Sequence, residues 1–432
     1  MTTATNRVPP TSEWPPSPTF WAESFFSATS SATAPALFSR LVPANVLGTA
    51  EVVGGLRRLR RAHAEGEAAS ARIRVYVGEE RRDEVVETVL TMPWPDSEDV
   101  LEWMQRVCKA ERFSLVVNNL ETTSAALMSS LGTLIQSAFS GWGIPIGGCE
   151  QVAFVGNYAG TAFGIHEGFE DAFLVHLGPG TKHFYCWSQE RYRELTGGTE
   201  PLFGDYRWML EHGECFDLTP GDVLFLPRRV FHVGVQDEFS MSVAVPLYTY
   251  PDTRLLARSI LPRLLEAVAA GDDSVPSPMH NLAEGPEPVA QALAKTAETL
   301  MSSALAQLHD HVGAVVEQQW AELLSNGGWE IAEHDLTRAD AARSAREALA
   351  AGGTRLAVVA PFRLSWTQAD SDLDIVLRGS RLRVPASPVL VEVITALADG
   401  KPIEIPDAAR DLPALQDLLQ TGGVEILVDE PR

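Results

Sequence analysis

Apolar and polar positions change their rhythm several times along the 432-residue chain. From Phe20 to Leu47 the spacing predicts amphipathic helix and turn. "IRVYV" (73–77) alternates as a strand does. "DSEDVLEWMQRVCKAE" carries apolar residues at helical spacing behind a capping Asp96 or Ser97. "FSLVVNNL" is a buried-strand run, and "TTSAALMSSLGTLIQSAFSG" is a helix ending at glycine.

Between Glu150 and Tyr250 the texture becomes β. Short runs such as "QVAFVGNY", "DAFLVHLG", "KHFYCW", "DVLFLP" and "FSMSVAVPLY" alternate with Gly, Pro and Asp turns. Strands this short and close predict a sandwich or barrel. The stretch from Trp187 to Glu214 is an insertion with a helical portion. From Asp252 to Gly352 the pattern is helical again, rich in alanine and leucine. In the last 80 residues "LDIVLRGSRLRVP" is a hairpin, "SPVLVEVITALADG" a capped helix, and "LPALQDLLQTGGVEILVD" a helix followed by a strand. That order resembles a winged helix.

Composition narrows the function classes. The formal net charge of −23 disfavours nucleic acid and anionic membranes as partners. Residues 400–432 hold seven acidic and three basic residues, and the 412–420 helix has no lysine or arginine. A DNA-reading helix needs such groups, so the terminal unit is expected to be structural or protein-binding. The one compact basic run, "LRRLRRAH" (56–63), is expected to be a solvated helix face. Cys108, Cys149, Cys186 and Cys215 form no CxxC pair and are expected to be reduced thiols in a cytoplasmic protein. No apolar run reaches a membrane span of roughly 18–20 residues. The Pro/Ser/Thr-rich first 18 residues are expected to be a disordered lead-in without a secretory h-region.

Two segments carry chemistry. In "FDLTPGDVLFLPRRVFHVGVQ" a Pro-Gly turn feeds a buried strand, a proline ends it, and His232 follows five residues later. In "GTAFGIHEGFEDAFLVHLGPGTKHFYCW", His166 ends another strand. Two histidines facing one barrel mouth form a candidate metal pair.

Together the two segments resemble the JmjC branch of the cupin superfamily. "PGDVLFLP…H" is similar to that family's second motif. "IHEGFEDAFLVHLGPGTKHFYCW" follows the frame of its first. The helical and C-terminal parts resemble, more loosely, the ribosomal-oxygenase-like members. The resemblance implies an α+β chain with a double-stranded β-helix (cupin, jelly-roll) core. Within residues 19–250 that core spans about 150–250. A helical segment for homodimerisation would occupy 251–352, and a winged-helix-like domain 353–432. It implies an oxygenase using Fe(II) and 2-oxoglutarate on a protein, peptide or small-molecule substrate, with His166 and His232 on iron and Lys182 on the far carboxylate of 2-oxoglutarate. Tyr158, Thr161, Ser240 and Ser242 are further hydroxyl donors by location.

The chain departs from the family pattern at one position. The family has Asp or Glu two residues after the first histidine, and here that residue is Gly168. Three arrangements are open: Glu170 reaches back as the third ligand; an anion fills the position, as in iron-dependent halogenases; or iron chemistry is lost, leaving a binding module or a ligand set that includes His176. Glu167 points away from His166 in an extended strand. His176, in mid-strand, is expected to be a hydrogen-bonded core residue. Asp171 is expected to cap a turn, and His183 to face away from Lys182.

Overall fold

The computed structural model describes residues 2–3, 7–10, 13–78, 80–158, 160, 163–249, 251–269, 279, 283, 285–410 and 412–427. The chain divides into two compact units, residues 1–249 with 323–432, and residues 250–322.

The first unit is built on eight strands: β1 (Val152–Gly156), β2 (His166–Glu167), β3 (Asp171–Pro179), β4 (Lys182–Trp187), β5 (Glu214–Leu218), β6 (Val223–Leu226), β7 (Phe231–Val235) and β8 (Ser240–Leu247). One sheet runs β5-β4-β7-β2, and the other contains β6-β3-β8-β1. These two antiparallel four-strand sets, linked as sequential strands alternate between them, make a jelly roll. The larger sheet continues past β1 into Phe113–Asn118 and Arg72–Val77, and past β6 into Ala36–Phe38. The helix Ala125–Trp142 is capped by Ser124, and its face of Leu127, Leu131, Leu134, Ile135 and Ala138 is buried in the main core with Phe173, Val175, Phe225 and Val243. Such burial is worth about 1.5–3 kcal/mol for each large side chain. The opposite faces of β3, β6 and β8 supply the jelly-roll interior.

A β-bulge lies between β3 and β8, where Met241 pairs with Gly178 but Ser242 pairs with His176. The extra residue turns Ser242 and His176 toward each other inside the barrel.

Three local readings are corrected. The helix Val100–Cys108 is capped by Asp99, whose carboxylate accepts from the Glu102 N–H, and not by Asp96 or Ser97. The 20–47 stretch has the expected helix and turns, a π-helical turn (Phe20–Phe25) running into Phe26–Ala28, but also contributes a short strand (Ala36–Phe38) that the pattern does not show. The basic run on the helix Thr49–Glu65 is not a solvated face. Arg57 stacks over Trp94 at 4.2 Å and Arg60 over Trp103 at 4.9 Å. Arg58 donates to Asp340 at 2.7 Å and to Glu67 at 2.8 Å. Tertiary partners distant in sequence take up these cations.

The terminal part pairs Arg355–Val358 with Ile403–Glu404 and Val424–Leu427, beside a separate three-stranded sheet of Leu364–Ala369, Asp372–Leu377 and Ser380–Pro385. The hairpin turn Arg378-Gly379 has positive φ at both positions, the two-residue geometry that matches strand twist. The helix Leu336–Ala350 packs on the Val424–Leu427 strand, within the first unit. The second unit is helical and contains most of the 39-residue helix Glu287–Ser325. No helix among the described residues is long and apolar enough to cross a membrane.

Candidate active site

His166 on β2 and His232 on β7 are direct cross-strand partners. Their ring centroids lie 4.5 Å apart. His166 Nδ1 is 3.1 Å from the Gly164 carbonyl, and His232 Nδ1 is 3.0 Å from the Val230 carbonyl. A carbonyl only accepts, so each Nδ1 carries the proton and each Nε2 presents a lone pair. Backbone-pinned Nδ1–H groups are how metal-binding histidines are commonly oriented. Burial lowers the proton affinity of both rings, His232 to a pKa of about 3, with His166 beside it adding to the effect. Both therefore stay neutral, the form a metal requires. Phe184 stacks on His232 at 5.4 Å, and Phe163 meets His166 edge-on at 5.7 Å.

Lys182, on the inward face of β4, is 1% exposed. Its ammonium donates to the Tyr158 hydroxyl at 3.0 Å and to Ser242 Oγ at 3.4 Å. No carboxylate pairs with it among the described residues, and burial alone pulls its pKa down to about 7. A buried ammonium without a counter-ion is costly, and an anionic ligand would relieve that cost. The Ser242 hydroxyl is also 3.0 Å from His176 Nδ1, and His176 Nε2 is 2.6 Å from the Gly180 carbonyl. His176 thus donates from Nε2 and accepts the Ser242 proton at Nδ1, which leaves Ser242 Oγ to accept from Lys182. Both nitrogens of His176 are occupied, so it is a core residue and not a ligand. Tyr158 lines a cavity of about 350 Å³ with Arg112, Tyr206 and Arg207. Ser240 is committed elsewhere, donating to Gln236 Oε1 at 2.9 Å. Thr161 lies outside the described residues.

Gly234, two residues after His232, is a site residue that sequence reasoning missed. A Cβ there would lie 2.9 Å from Lys182 Cε and 3.3 Å from the Phe184 ring. A lone glycine inside a strand pattern is the signal that marks such a close approach.

Gly168 is held in place by two backbone bonds, its N–H to the Val230 carbonyl and its carbonyl from the Arg229 N–H. A Cβ built on it would lie 3.2 Å from His232 Cε1, so position 168 faces the histidine pair. Glu167 points to the other side, where Gln189 donates to it at 2.8 Å. Asp171 accepts from the Arg228 N–H at 2.7 Å, the expected turn contact. Glu170 sits in the bend between β2 and β3, and its ligand oxygens do not join His166 and His232 within 4.8 Å. Among the described residues, one group of three reaches that closeness: His183, Cys215 and Asp217, on the outer face of the barrel.

The two histidines fit a first-row divalent metal through Nε2, and Lys182 fits a carboxylate at the barrel's inner end. A jelly roll with these groups at its mouth has the layout of the cupin fold. Residues 149–255 match the family model of the JmjC domain. No curated protein matches the chain. Solved structures similar to it include YcfD of Escherichia coli, at 15% identity over 93% of this chain and 97% of that one, with a TM-score of 0.47. They include the same E. coli protein, titled a ribosomal oxygenase, with cobalt and succinic acid (14% identity, 93% and 97% covered, TM-score 0.48). The complex with cobalt and 2-oxoglutarate is also similar (16% identity, 93% and 97% covered, TM-score 0.47).

Proposed function

We propose that the protein is an Fe(II)- and 2-oxoglutarate-dependent oxygenase that hydroxylates a protein, peptide or small-molecule substrate. The observation that carries this reading is the buried, unpaired Lys182 behind a pair of neutral histidines. His166 and His232 would hold iron through Nε2, with Glu170 turning inward across the Gly168–Phe169 bend as the third ligand. Glycine makes that backbone adjustment inexpensive. Lys182 would hold the far carboxylate of 2-oxoglutarate by a charge-assisted hydrogen bond, with Tyr158 and Ser242 fixing the ammonium.

Bound iron and 2-oxoglutarate supply the oxidising chemistry: dioxygen is consumed, 2-oxoglutarate becomes succinate and carbon dioxide, and one oxygen atom enters a substrate C–H bond. The chain supplies position and environment. The backbone carbonyls of Gly164 and Val230 fix the two imidazoles. Leu174, Phe184, Leu224 and Leu226 form an apolar wall that keeps water out of the interior. Phe169 (78% exposed) and Phe203 (64% exposed) flank the segment that carries His166 and offer apolar contact to a substrate at the mouth. The long helix Glu287–Ser325 exposes Leu293, Met301 and Leu305 on one side, a face suited to a second copy of the chain. The thiols form no disulfide, which suits a cytoplasmic protein.

Position 168 favours a second reading. With no carboxylate at 168, a halide would take that ligand position, making the enzyme a halogenase. Fe(II)-dependent succinate release stimulated by peptide or small-molecule candidates tests the oxygenase reading. Chloride-dependent halogenated product would select the second reading, and no succinate release with any iron-loaded sample would overturn both.

A further inference from the structure

We propose that the outer face of the barrel carries a second metal site, formed by His183, Cys215 and Asp217 and selective for a borderline divalent ion of the zinc type. His183 and Asp217 are direct cross-strand partners on β4 and β5. Cys215, two residues before Asp217, shares their face. His183 Nδ1 is 2.6 Å from Asp217 Oδ1, and Cys215 Sγ is 3.6 Å from the same oxygen. All three ligand atoms lie within 4.8 Å of one another.

The spacing suits a tetrahedral ion. Zinc–sulfur and zinc–oxygen bonds of about 2.3 and 2.0 Å at tetrahedral angles separate the two ligands by about 3.5 Å. The sulfur–oxygen pair already stands near that separation. The nitrogen–oxygen pair needs to open by less than 1 Å, which replaces one hydrogen bond with two coordinate bonds. Binding displaces the Cys215 thiol proton and moves the His183 proton to Nε2. Burial pushes the Cys215 thiol up to about 11, against the lowering effect of the Tyr185 hydroxyl, so the ion itself has to displace the proton. The side chains of His183 and Asp217 are 44% and 53% exposed, so a water completes the set.

A surface ion pair explains His183 and Asp217, but not the thiol directed at the same oxygen. Magnesium and calcium prefer all-oxygen sets, whereas imidazole with thiolate selects zinc-like ions. The site lies across the sheet from the histidine pair, because Lys182 and His183 point to opposite faces of β4. A metal here would join β4, the strand that positions Lys182, to β5.

Cobalt(II) is the probe, since thiolate ligation gives an ultraviolet charge-transfer band that nitrogen and oxygen ligands do not. The full chain with His166→Ala and His232→Ala should still show this band with one cobalt bound. Cys215→Ser should abolish the band and His183→Ala should weaken cobalt binding at least tenfold, while Cys186→Ser leaves both unchanged. His183 is exposed, so its replacement keeps the test valid if the buried Cys215 variant fails to fold. A band that survives Cys215→Ser, unaltered affinity in His183→Ala, or no band in the unmodified chain at saturating cobalt would overturn the proposal.

Discussion

Lys182 Nζ stands 3.0 Å from the Tyr158 hydroxyl, 1% exposed and with no carboxylate paired to it among the described residues. Lys182→Met is expected to keep metal binding and to weaken 2-oxoglutarate binding by about 10- to 100-fold, the worth of a charge-assisted hydrogen bond of roughly 1.5–3 kcal/mol. The ligand-free variant should melt a few degrees higher, since a costly buried charge is removed. Calorimetric titration and thermal unfolding check the two effects.

Gly234 leaves the space that the Lys182 stem fills. Gly234→Val is expected to push Lys182 off its partners and raise the KM for 2-oxoglutarate at least tenfold. Metal affinity should be nearly unchanged, because the Nε2 atoms of the histidines are not displaced. Equal losses in metal and cosubstrate binding would show that Gly234 serves the barrel as a whole.

The proposed third ligand, Glu170, is tested together with position 168. Glu170→Gln is expected to loosen Fe(II) by about 10-fold or more, as losing one of three protein ligands should. Adding Gly168→Asp to that variant should restore the affinity, because position 168 faces His232. If Glu170→Gln binds iron as the unmodified chain does, Glu170 is not a ligand and the open position 168 stands as the halide reading requires.

Much of this site was legible in the sequence. His166 and His232 face one barrel mouth as their motifs imply, although His166 opens β2 and does not end a strand, and Lys182 and His183 fall on opposite faces because a strand alternates. The mid-strand position of His176 puts it in the core, where both ring nitrogens are hydrogen-bonded. Less legible was whatever depends on partners distant in sequence. The arginines of 56–63 look solvated because Trp94, Trp103 and Asp340, which hold them, are not visible in the run itself. The link from Lys182 through Ser242 to His176 depends on a bulge between β3 and β8, which no local pattern specifies. Gly168 was visible as an anomaly, but only the backbone shows that it faces His232.

Glu121 carries a pH effect on stability. It is buried, accepts the Gln151 N–H at 2.9 Å, and has its pKa raised to about 8, chiefly by desolvation. The folded state therefore holds this proton more tightly than the unfolded chain does. The associated stability is fully present below the unfolded value near 4.5 and is lost as pH rises through about 8. Glu121→Gln should flatten this decline in urea unfolding measured from pH 5 to 9. A decline of the same size in the variant would assign it to other groups.

The most direct test of the central claim is anaerobic titration of 2-oxoglutarate into the protein with and without a divalent metal. Saturable binding is expected only when metal is present. It should be lost in His166→Ala/His232→Ala and weakened at least tenfold in Lys182→Met. Binding that persists in chelator and is indifferent to both changes would contradict the account and leave a ligand-binding cupin without iron chemistry.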